Sequence, residues 1–327
     1  MRKLFVRSLW IALFSTIGLS LMAFVAIWNG WVGYMPEMAD ITNPLDRSAT
    51  QVYSSNGMVM GTWSASHENR IIIPYSKLSP HLVQALVATE DERFYGHSGI
   101  DFVALGRAVV KRGIFQQENA GGGSTITQQL AKQLYSSVTH SSVERLFQKP
   151  VEWVIAIKLE RTFTKEEIIA LYLNKFNFLH NADGIKTAAD TYFSKEPADL
   201  TICEAATLIG LCKNPALFNP VRFPERSKNR RNVVLGQMLK AGYLSKEEYR
   251  ACCAEPLKLN FHRIDHKDGA AAYFREFLRQ YMTAKRPDRD DYPSWNQNQY
   301  VFDSIAWAVD PLYGWCNKNF KSDGKPY

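Results

Sequence analysis

One acidic residue stands where a carboxylate could act as a general base. The segment ATEDERFYGHSGID predicts a helix that ends near Glu90 and Asp91, followed by Phe94 and His97 as supporting residues. A helix end would place Glu90 at the edge of a loop, where aromatic side chains partly exclude water. This setting suits general-base chemistry. An ordinary acidic pair on a solvated helix face is the alternative that the segment alone leaves open.

A glycine-rich turn leads into a second polar segment, NAGGGSTITQQLAKQLY, whose helix is expected to be capped by Ser124 or Thr125. Free N–H groups at a helix start attract anions, and helical spacing predicts polar side chains on one face beside it. The candidates for holding a diphosphate are Ser124, Thr125, Gln128, Gln129 and Lys132. The segment lacks the GxxxxGK[ST] pattern of nucleotide-binding loops. A capped surface helix with a solvated polar face is the alternative.

A third segment, ERLFQKPVEWVIAIKLERTFTKEEIIALYLN, brings two cations and a carboxylate together. Pro150 is expected at the first helical position and Glu152 in the first turn, with Arg145 and Lys149 just before them. Such a group suits a charged sugar diphosphate. Compensation of the helix dipole by Glu152 is the simpler interpretation. The later charged residues are expected to form exposed pairs; they are Glu160, Arg161, Lys165 and Glu166.

Helical periodicity dominates the segments that must position these candidates. From Ser79 onward apolar residues recur at spacings of three and four, and Ser245 with Glu248 forms a capping-box pattern. Before that, QVYSSNGMVMGTW alternates around an Asn56-Gly57 turn and predicts a short N-terminal β-hairpin. The expected fold class is mainly α.

The N-terminus predicts a membrane anchor. Arg2, Lys3 and Arg7 precede a stretch, 8–36, that contains no charged residue. We expect a cytoplasmic basic tail over 1–7, one transmembrane helix over 8–32 and an extracytoplasmic body. A cleaved signal peptide is the alternative.

The net charge of +7 and the pI of about 9.0 suit an anionic partner, which could be nucleic acid, an acidic membrane or a phosphorylated substrate.

Cysteine and histidine spacing predicts no metal centre. The five cysteines show neither a metal-ligand spacing nor a clear disulfide framework, and their odd number leaves one thiol free unless it pairs between chains. Small, buried, apolar cysteine side chains are the favoured interpretation. The seven histidines likewise show no metal-ligand spacing.

The order of these segments resembles a known family. The chain looks like the peptidoglycan glycosyltransferases of family 51, the domain of class A penicillin-binding proteins and monofunctional transglycosylases, from about Gln51 to about Leu259. The five motifs that carry the resemblance are EDERFYGHSGID, GGSTITQQLAK, KPVEWVIAIKLER, KEEIIALYLN and GIKTAADTYFSK. Three positions depart from the family pattern: Gln148 stands for the usual Arg, Gln133 for Asn and Ser194 for Gly.

The resemblance implies a fold and a reaction. It implies a lysozyme-like helical large lobe with a small membrane-proximal lobe over 45–260, and inverting transfer from a lipid-linked glycan to lipid II with release of polyprenyl diphosphate. Glu90 would deprotonate the acceptor 4-hydroxyl, and Glu152 would assist on the donor side. The second-motif residues would hold the donor diphosphate, with Lys149 and Arg145 at the leaving group. No cofactor is required; a divalent cation such as Mg²⁺ or Mn²⁺ is the one addition that this scheme allows.

The segment 261–327 is expected to be a helix and a linker-like tail leading to an absent transpeptidase domain, since SxxK, SxN and KTG do not occur in that order.

A lytic transglycosylase or lysozyme-like enzyme is the enzymatic alternative. An inactive membrane-anchored scaffold that binds precursor is the other. The expected partners are lipid II, the growing glycan, the membrane and cell-wall synthesis proteins, and not nucleic acid. We expect a single-pass protein of the cytoplasmic (inner) membrane with a periplasmic catalytic domain.

Overall fold

A computed structural model describes residues 2–42, 44, 50–63, 70–109, 123–136, 142–263 and 270–318. The chain divides into two compact units, the first built from 1–48 and 66–264 and the second from 49–65 and 265–327. The prediction of a mainly α fold is confirmed. The helices of the first unit are α1 (Arg2–Trp28), α2 (Met38–Thr42), α3 (Pro80–Glu90), α4 (Phe102–Val109), α5 (Ile126–Tyr135), α6 (Ser142–Thr162), α7 (Lys165–Lys175), α8 (Ile185–Phe193), α9 (Ile202–Cys212), α10 (Pro224–Lys240) and α11 (Lys246–Ala254).

Helix α1 is the one helix of the described chain that is long and apolar enough to cross a bilayer. Its candidate span is Val6–Trp28, with a mean hydropathy of 2.1. The helix ends at Trp28, four residues before the predicted boundary, because Gly30 and Gly33 adopt positive φ angles of 73° and 79°. Trp28 lies against helix α6, where Lys158 and Arg161 approach its ring at 5.4 and 5.2 Å.

The core of the first unit lies where α3 packs on α9 and α10, and where α5 packs on α6 and α7. Fully buried aliphatic side chains fill both contacts, among them Leu82, Leu86, Ile155, Leu159, Ile169, Leu208 and Leu235. This packing fixes the end of α3 and the start of α5, which are the elements that carry Glu90 and the polar second segment.

Three helices of the first unit begin with capping boxes, in which two orphan N–H groups are satisfied reciprocally. The cap pairs are Thr164 with Glu167 in α7, Thr201 with Glu204 in α9, and Ser245 with Glu248 in α11. The predicted Ser245 capping box is therefore confirmed.

Ser194 ends α8 in the left-handed conformation, with a φ of 53°. Glycine adopts this conformation at no steric cost, which explains why the family pattern has glycine here. The Ser194 hydroxyl hydrogen-bonds the Asn260 carbonyl oxygen at 3.0 Å and so partly offsets the strain.

In its described residues, the second unit combines an antiparallel strand pair with three α-helices. Strands β1 (Thr50–Tyr53) and β2 (Val59–Trp63) pair with Thr50 opposite Trp63. The helices are α12 (Ala272–Thr283), α13 (Gln297–Val309) and α14 (Trp315–Lys318). The tail was expected to be linker-like, whereas α13 and α14 lie within it; exposed apolar residues weaken the helical periodicity of α13.

Candidate functional site

Glu90 is the last residue of α3, and its side chain is 13% exposed. Gln129 donates a hydrogen bond from Nε2 to Glu90 Oε2 at 2.9 Å, and Arg230 Nη2 lies 4.0 Å from Oε1. The carboxylate is thus largely shielded from water, and among the described residues its charge is balanced only by a cation at the limit of ion-pair distance. Such a group keeps lone pairs available for a substrate proton.

A buried hydroxyl fixes the orientation of Gln129. Tyr172 donates to Gln129 Oε1 at 3.1 Å, which leaves the amide nitrogen facing Glu90. Burial raises the pKa of Tyr172 well above its usual range, and the neighbouring Cys212 and Glu90 add to this shift. Burial likewise raises the pKa of the Cys212 thiol, followed by the charge of Glu90. Both groups therefore stay neutral behind the carboxylate.

Asp91 joins the end of α3 to the start of α5. It is 7% exposed; its two carboxylate oxygens lie 3.0 and 3.1 Å from His97 Nε2, and Oδ2 accepts the Ile126 backbone N–H at 3.1 Å. A carboxylate at a helix N-terminus also interacts favourably with the helix dipole. Phe94 is fully buried beside His97. Asp91, Phe94 and His97 thus lie inside the protein. They hold the segment that directly follows Glu90 and so help to position Glu90.

Thr125 and Gln128 face the interior, which corrects the expectation that they share a ligand-facing polar surface. Thr125 caps α5 as predicted, accepting the Gln128 backbone N–H at 3.1 Å, and donates its hydroxyl to the Gly99 carbonyl oxygen at 2.7 Å. Gln128 Nε2 donates to the same carbonyl at 3.1 Å. Gly99 requires its glycine, because a Cβ there would lie 3.0 Å from the Ala156 backbone at a φ of 90°.

Lys149 connects the start of α5 to helix α6. Its Nζ lies 2.9 Å from Ser124 Oγ and 3.0 Å from Glu152 Oε2, so the predicted grouping of these residues is present. The Lys149 side chain is 38% exposed and the Glu152 side chain 5%, which leaves the ammonium accessible. Lys149 can thus pair with an incoming anion while Glu152 holds it in place.

The helix start predicted at Pro150 is wrong. Pro150 lies inside α6, which already includes Ser142, and Glu152 is therefore in the helix interior. Compensation of a helix N-terminus does not explain a buried carboxylate at that position. Arg145 belongs to the same helix, but its side chain lies outside the described residues.

Lys132 is exposed in the last turn of α5. It stands two helical turns after the Thr125 cap, about 10 Å along the axis. Its role as a second cation for an extended anion stays a prediction. Among the described residues, no group of three or more histidine, cysteine or acidic side chains is placed to hold a metal ion.

Comparison with known proteins gives a consistent result. The family model described as transglycosylase matches residues 56–239. Penicillin-binding protein 1A of Haemophilus influenzae is 37% identical over 75% of this chain and 28% of its own length. A relative named as a transglycosylase, from Cupriavidus necator, is 40% identical over 57% of this chain and 78% of its own. The chain belongs to the transglycosylase family. It is the family 51 glycosyltransferase domain type found in class A penicillin-binding proteins and monofunctional transglycosylases.

The chain spans about a third of the length of the penicillin-binding proteins that it matches, with 28% and 37% of two such relatives covered. The structural alignment with the crystal structure of penicillin-binding protein 1A from Haemophilus influenzae covers 72% of this chain and 24% of that one, with 26% sequence identity and a TM-score of 0.38.

Glu160 and Lys165 were expected on the surface, and the structure corrects this. Their side chains are 6% and 20% exposed, and Lys165 Nζ lies 2.8 Å from Glu160 Oε1. Thr127 donates to the same oxygen at 2.6 Å, and Lys165 donates to the His97 carbonyl oxygen at 2.7 Å. The partners come from elements far away in sequence, which short-range spacing does not reveal. The network fastens the loop after Glu90 to α5 and α7.

Arg230 is the residue that sequence reasoning missed. It is 15% exposed in α10, reaches to within 4.0 Å of Glu90 and lies 5.8 Å from the Phe218 ring centre. Its Nε is buried and has no hydrogen-bond partner within the described part of the chain. The run RSKNRRN resembles a solvated helix face. The apolar residues VVLGQML that follow it in α10 are the sequence signal that part of this helix is buried.

Proposed function

We propose that this chain is a peptidoglycan glycosyltransferase that polymerises lipid II into β-1,4 glycan strands with inversion and release of polyprenyl diphosphate. Glu90 is the general base of the proposed reaction. The observation that supports this assignment is that the Glu90 carboxylate is shielded from water, accepts a hydrogen bond from Gln129 and is only loosely paired with Arg230. Family membership supports the reaction class.

In the proposed step, the acceptor 4-hydroxyl transfers its proton to Glu90 as its oxygen attacks the anomeric carbon of the donor. The bond from that carbon to the diphosphate oxygen breaks, and the electron pair leaves with the diphosphate. Gln129 occupies Oε2, so Oε1 is the oxygen that takes the proton. Arg230, 4.0 Å from Oε1, is the nearby cation among the described residues that faces the carboxylate.

A diphosphate leaving group needs charge neutralisation more than protonation. Lys149, positioned by Ser124 and Glu152, is the cation assigned to this task, with Arg145 beside it in sequence. Glu152 thus assists on the donor side by holding Lys149. Lys132 and Gln129 would complete the diphosphate contacts, while Thr125 and Gln128 shape the turn from inside.

Membrane attachment follows from the proposed substrates, because lipid II and the growing glycan are both anchored in the outer leaflet of the cytoplasmic membrane. We place α1 across the cytoplasmic (inner) membrane with its basic N-terminus inside and the body outside. The lysozyme-like division into a large lobe and a membrane-proximal lobe belongs to this proposal, as do cell-wall synthesis proteins as partners.

Incubation of the purified chain with lipid-linked disaccharide peptide tests the function. We expect a polymer that a muramidase digests, with stoichiometric release of polyprenyl diphosphate. The lytic alternative predicts soluble muropeptides from finished glycan, without consumption of precursor. Lys132→Ala separates the two, since it should abolish polymerisation but leave a hydrolase that binds no diphosphate unaffected. Binding of precursor without polymer would indicate the inactive scaffold.

A further inference from the structure

Two cysteines on neighbouring helices face each other away from the proposed active site. Cys203 lies in the first turn of α9 and is 7% exposed, whereas Cys252, near the end of α11, is half-buried. Cys203 Sγ lies 3.8 Å from the Cys252 carbonyl oxygen, which places the Cys203 thiol directly beside Cys252. A disulfide would require the Cys252 side chain to turn toward this sulfur.

The other thiols point elsewhere. All five cysteines belong to the described residues and are present as free thiols. Cys253 follows Cys252 directly in α11, and adjacent residues of a helix point about 100° apart, so the two side chains differ in direction. Cys212 is the last residue of α9, where its thiol donates to the Leu208 carbonyl oxygen at 3.7 Å, and Cys316 belongs to α14.

We propose that Cys203 and Cys252 form a disulfide in an oxidising compartment, making the pair a covalent cross-link between α9 and α11. The compartment rests on the orientation of the proposed function, while the pairing rests on the position of the Cys203 sulfur beside Cys252. A metal site is the rival use of such a pair. It is not supported, because Cys203, Cys252 and Glu255 do not form a ligand cluster among the described residues.

The oxidation can proceed by exchange with a small disulfide such as oxidised glutathione. The more accessible Cys252, as thiolate, attacks one glutathione sulfur, forms a mixed disulfide and releases one glutathione. Cys203 then attacks the Cys252 sulfur and releases the second glutathione. Two protein thiols are oxidised and one glutathione disulfide is reduced to two thiols, which take up both protons.

Glu255 holds Cys203 in its protonated form. The Cys203 thiol donates a hydrogen bond to Glu255 Oε2 at 3.1 Å. Burial raises the pKa of Cys203, followed by its contacts with Cys252 and Glu255. Cys203 is consequently a poor first nucleophile, and this is why we assign the first attack to Cys252.

The cross-link would stabilise the frame behind Glu90. It spans 49 sequence positions and encloses α10, the helix that carries Arg230 and packs on α3. Closing such a loop should raise the unfolding midpoint by on the order of 10 °C relative to the reduced chain.

The test is to incubate the purified full chain in detergent with oxidised glutathione, block remaining thiols with N-ethylmaleimide and measure the intact mass. We expect three adducts on the wild type, because two of the five cysteines are joined. The matched control Cys253→Ser keeps the cross-link, and Cys252→Ser loses it together with the gain in unfolding midpoint. Five adducts on the wild type, or a cross-link that survives Cys252→Ser but not Cys253→Ser, would overturn the pairing.

The same alkylation on the exported chain, trapped directly from cells, tests the compartment separately. Three adducts there support the proposal in full. If the protein from cells carries five adducts while the purified protein treated with oxidised glutathione carries three, the proposed membrane orientation is overturned and the Cys203–Cys252 pairing stands. Polymerisation activity tests neither the orientation nor the pairing.

Discussion

Glu90 and Glu152 differ in how each carboxylate is paired. Glu90 accepts one hydrogen bond from a neutral amide and has its nearest cation at 4.0 Å. Glu152 is more deeply buried, at 5% exposure, and holds Lys149 at 3.0 Å. A loosely paired carboxylate can take up a proton, whereas a tightly paired one serves to position its cation. Burial alone would not distinguish these two functions; the pairing does.

The largest effect is expected at Glu90. Glu90→Gln keeps the size and the contact with Gln129 but cannot accept a proton, so kcat for polymerisation should fall by about 10²–10⁴-fold. Precursor binding and the unfolding midpoint should stay near wild type. The control is Glu92→Gln, since Glu92 is 46% exposed and pairs with Lys240 on the surface. Wild-type turnover by a folded Glu90→Gln protein would disprove the assigned base.

A smaller loss of activity, together with a loss of stability, is expected at Lys149. Lys149→Ala removes the cation from the leaving group, so kcat/KM should drop by about 10²-fold. It also leaves Glu152 buried without its partner, which should cost about 1–3 kcal/mol in the free energy of unfolding. Adding Glu152→Gln should restore stability without restoring activity.

The matched control for Lys149 is Lys186→Ala. Lys186 forms a similar ion pair at 2.6 Å, but its partner Glu196 is 61% exposed and stays hydrated when the lysine is removed. Equal destabilisation by both substitutions would show that burial of Glu152 does not set the cost.

Arg230→Ala should lower kcat by about 10-fold, because Arg230 positions Glu90 without touching the substrate in the proposed scheme. Arg226→Ala on the same helix is the control, since Arg226 is exposed and stacks on Phe223 at 5.1 Å. Steady-state kinetics on both variants decide this point. A larger loss than in Glu90→Gln would assign Arg230 a direct role in the reaction.

The smallest effect on activity is expected in the network that supports the loop after Glu90. Thr127→Val removes a donor to the buried Glu160 and should destabilise the protein by about 1–2 kcal/mol, with activity within about twofold of wild type. Thr162→Val, which loses only a bond to the Lys158 carbonyl of its own helix, is the control. Chemical denaturation distinguishes the two.

Local patterns allowed the sequence to predict the helical fold, the Thr125 cap and the approach of Lys149 to Glu152. Each of these depends on residues a few positions apart, or on motifs that occur in a fixed order. The inward orientation of Thr125 and Gln128 was not predictable in this way, because it depends on the Gly99 carbonyl, 26 and 29 positions away.

Long-range packing accounts for the other differences. Arg230 reaches Glu90 only because α10 packs on α3, and Glu160 is buried because α5 covers it. In both cases a charged run that looks solvated has members turned into the protein, Arg230 and Arg231 in one run and Glu160 and Lys165 in the other. Only the tertiary arrangement determines which members those are.

Chemical rescue tests the central comparison most directly. Glu90→Ala and Glu152→Ala proteins should be assayed for polymerisation over a series of formate concentrations, with folding and precursor binding checked beforehand. We predict that formate restores activity to Glu90→Ala in proportion to its concentration, because a small carboxylate can replace the missing base, and that Glu152→Ala is not restored. No rescue of a folded, precursor-binding Glu90→Ala protein, or equal rescue of both variants, would contradict the assignment of Glu90 as the base.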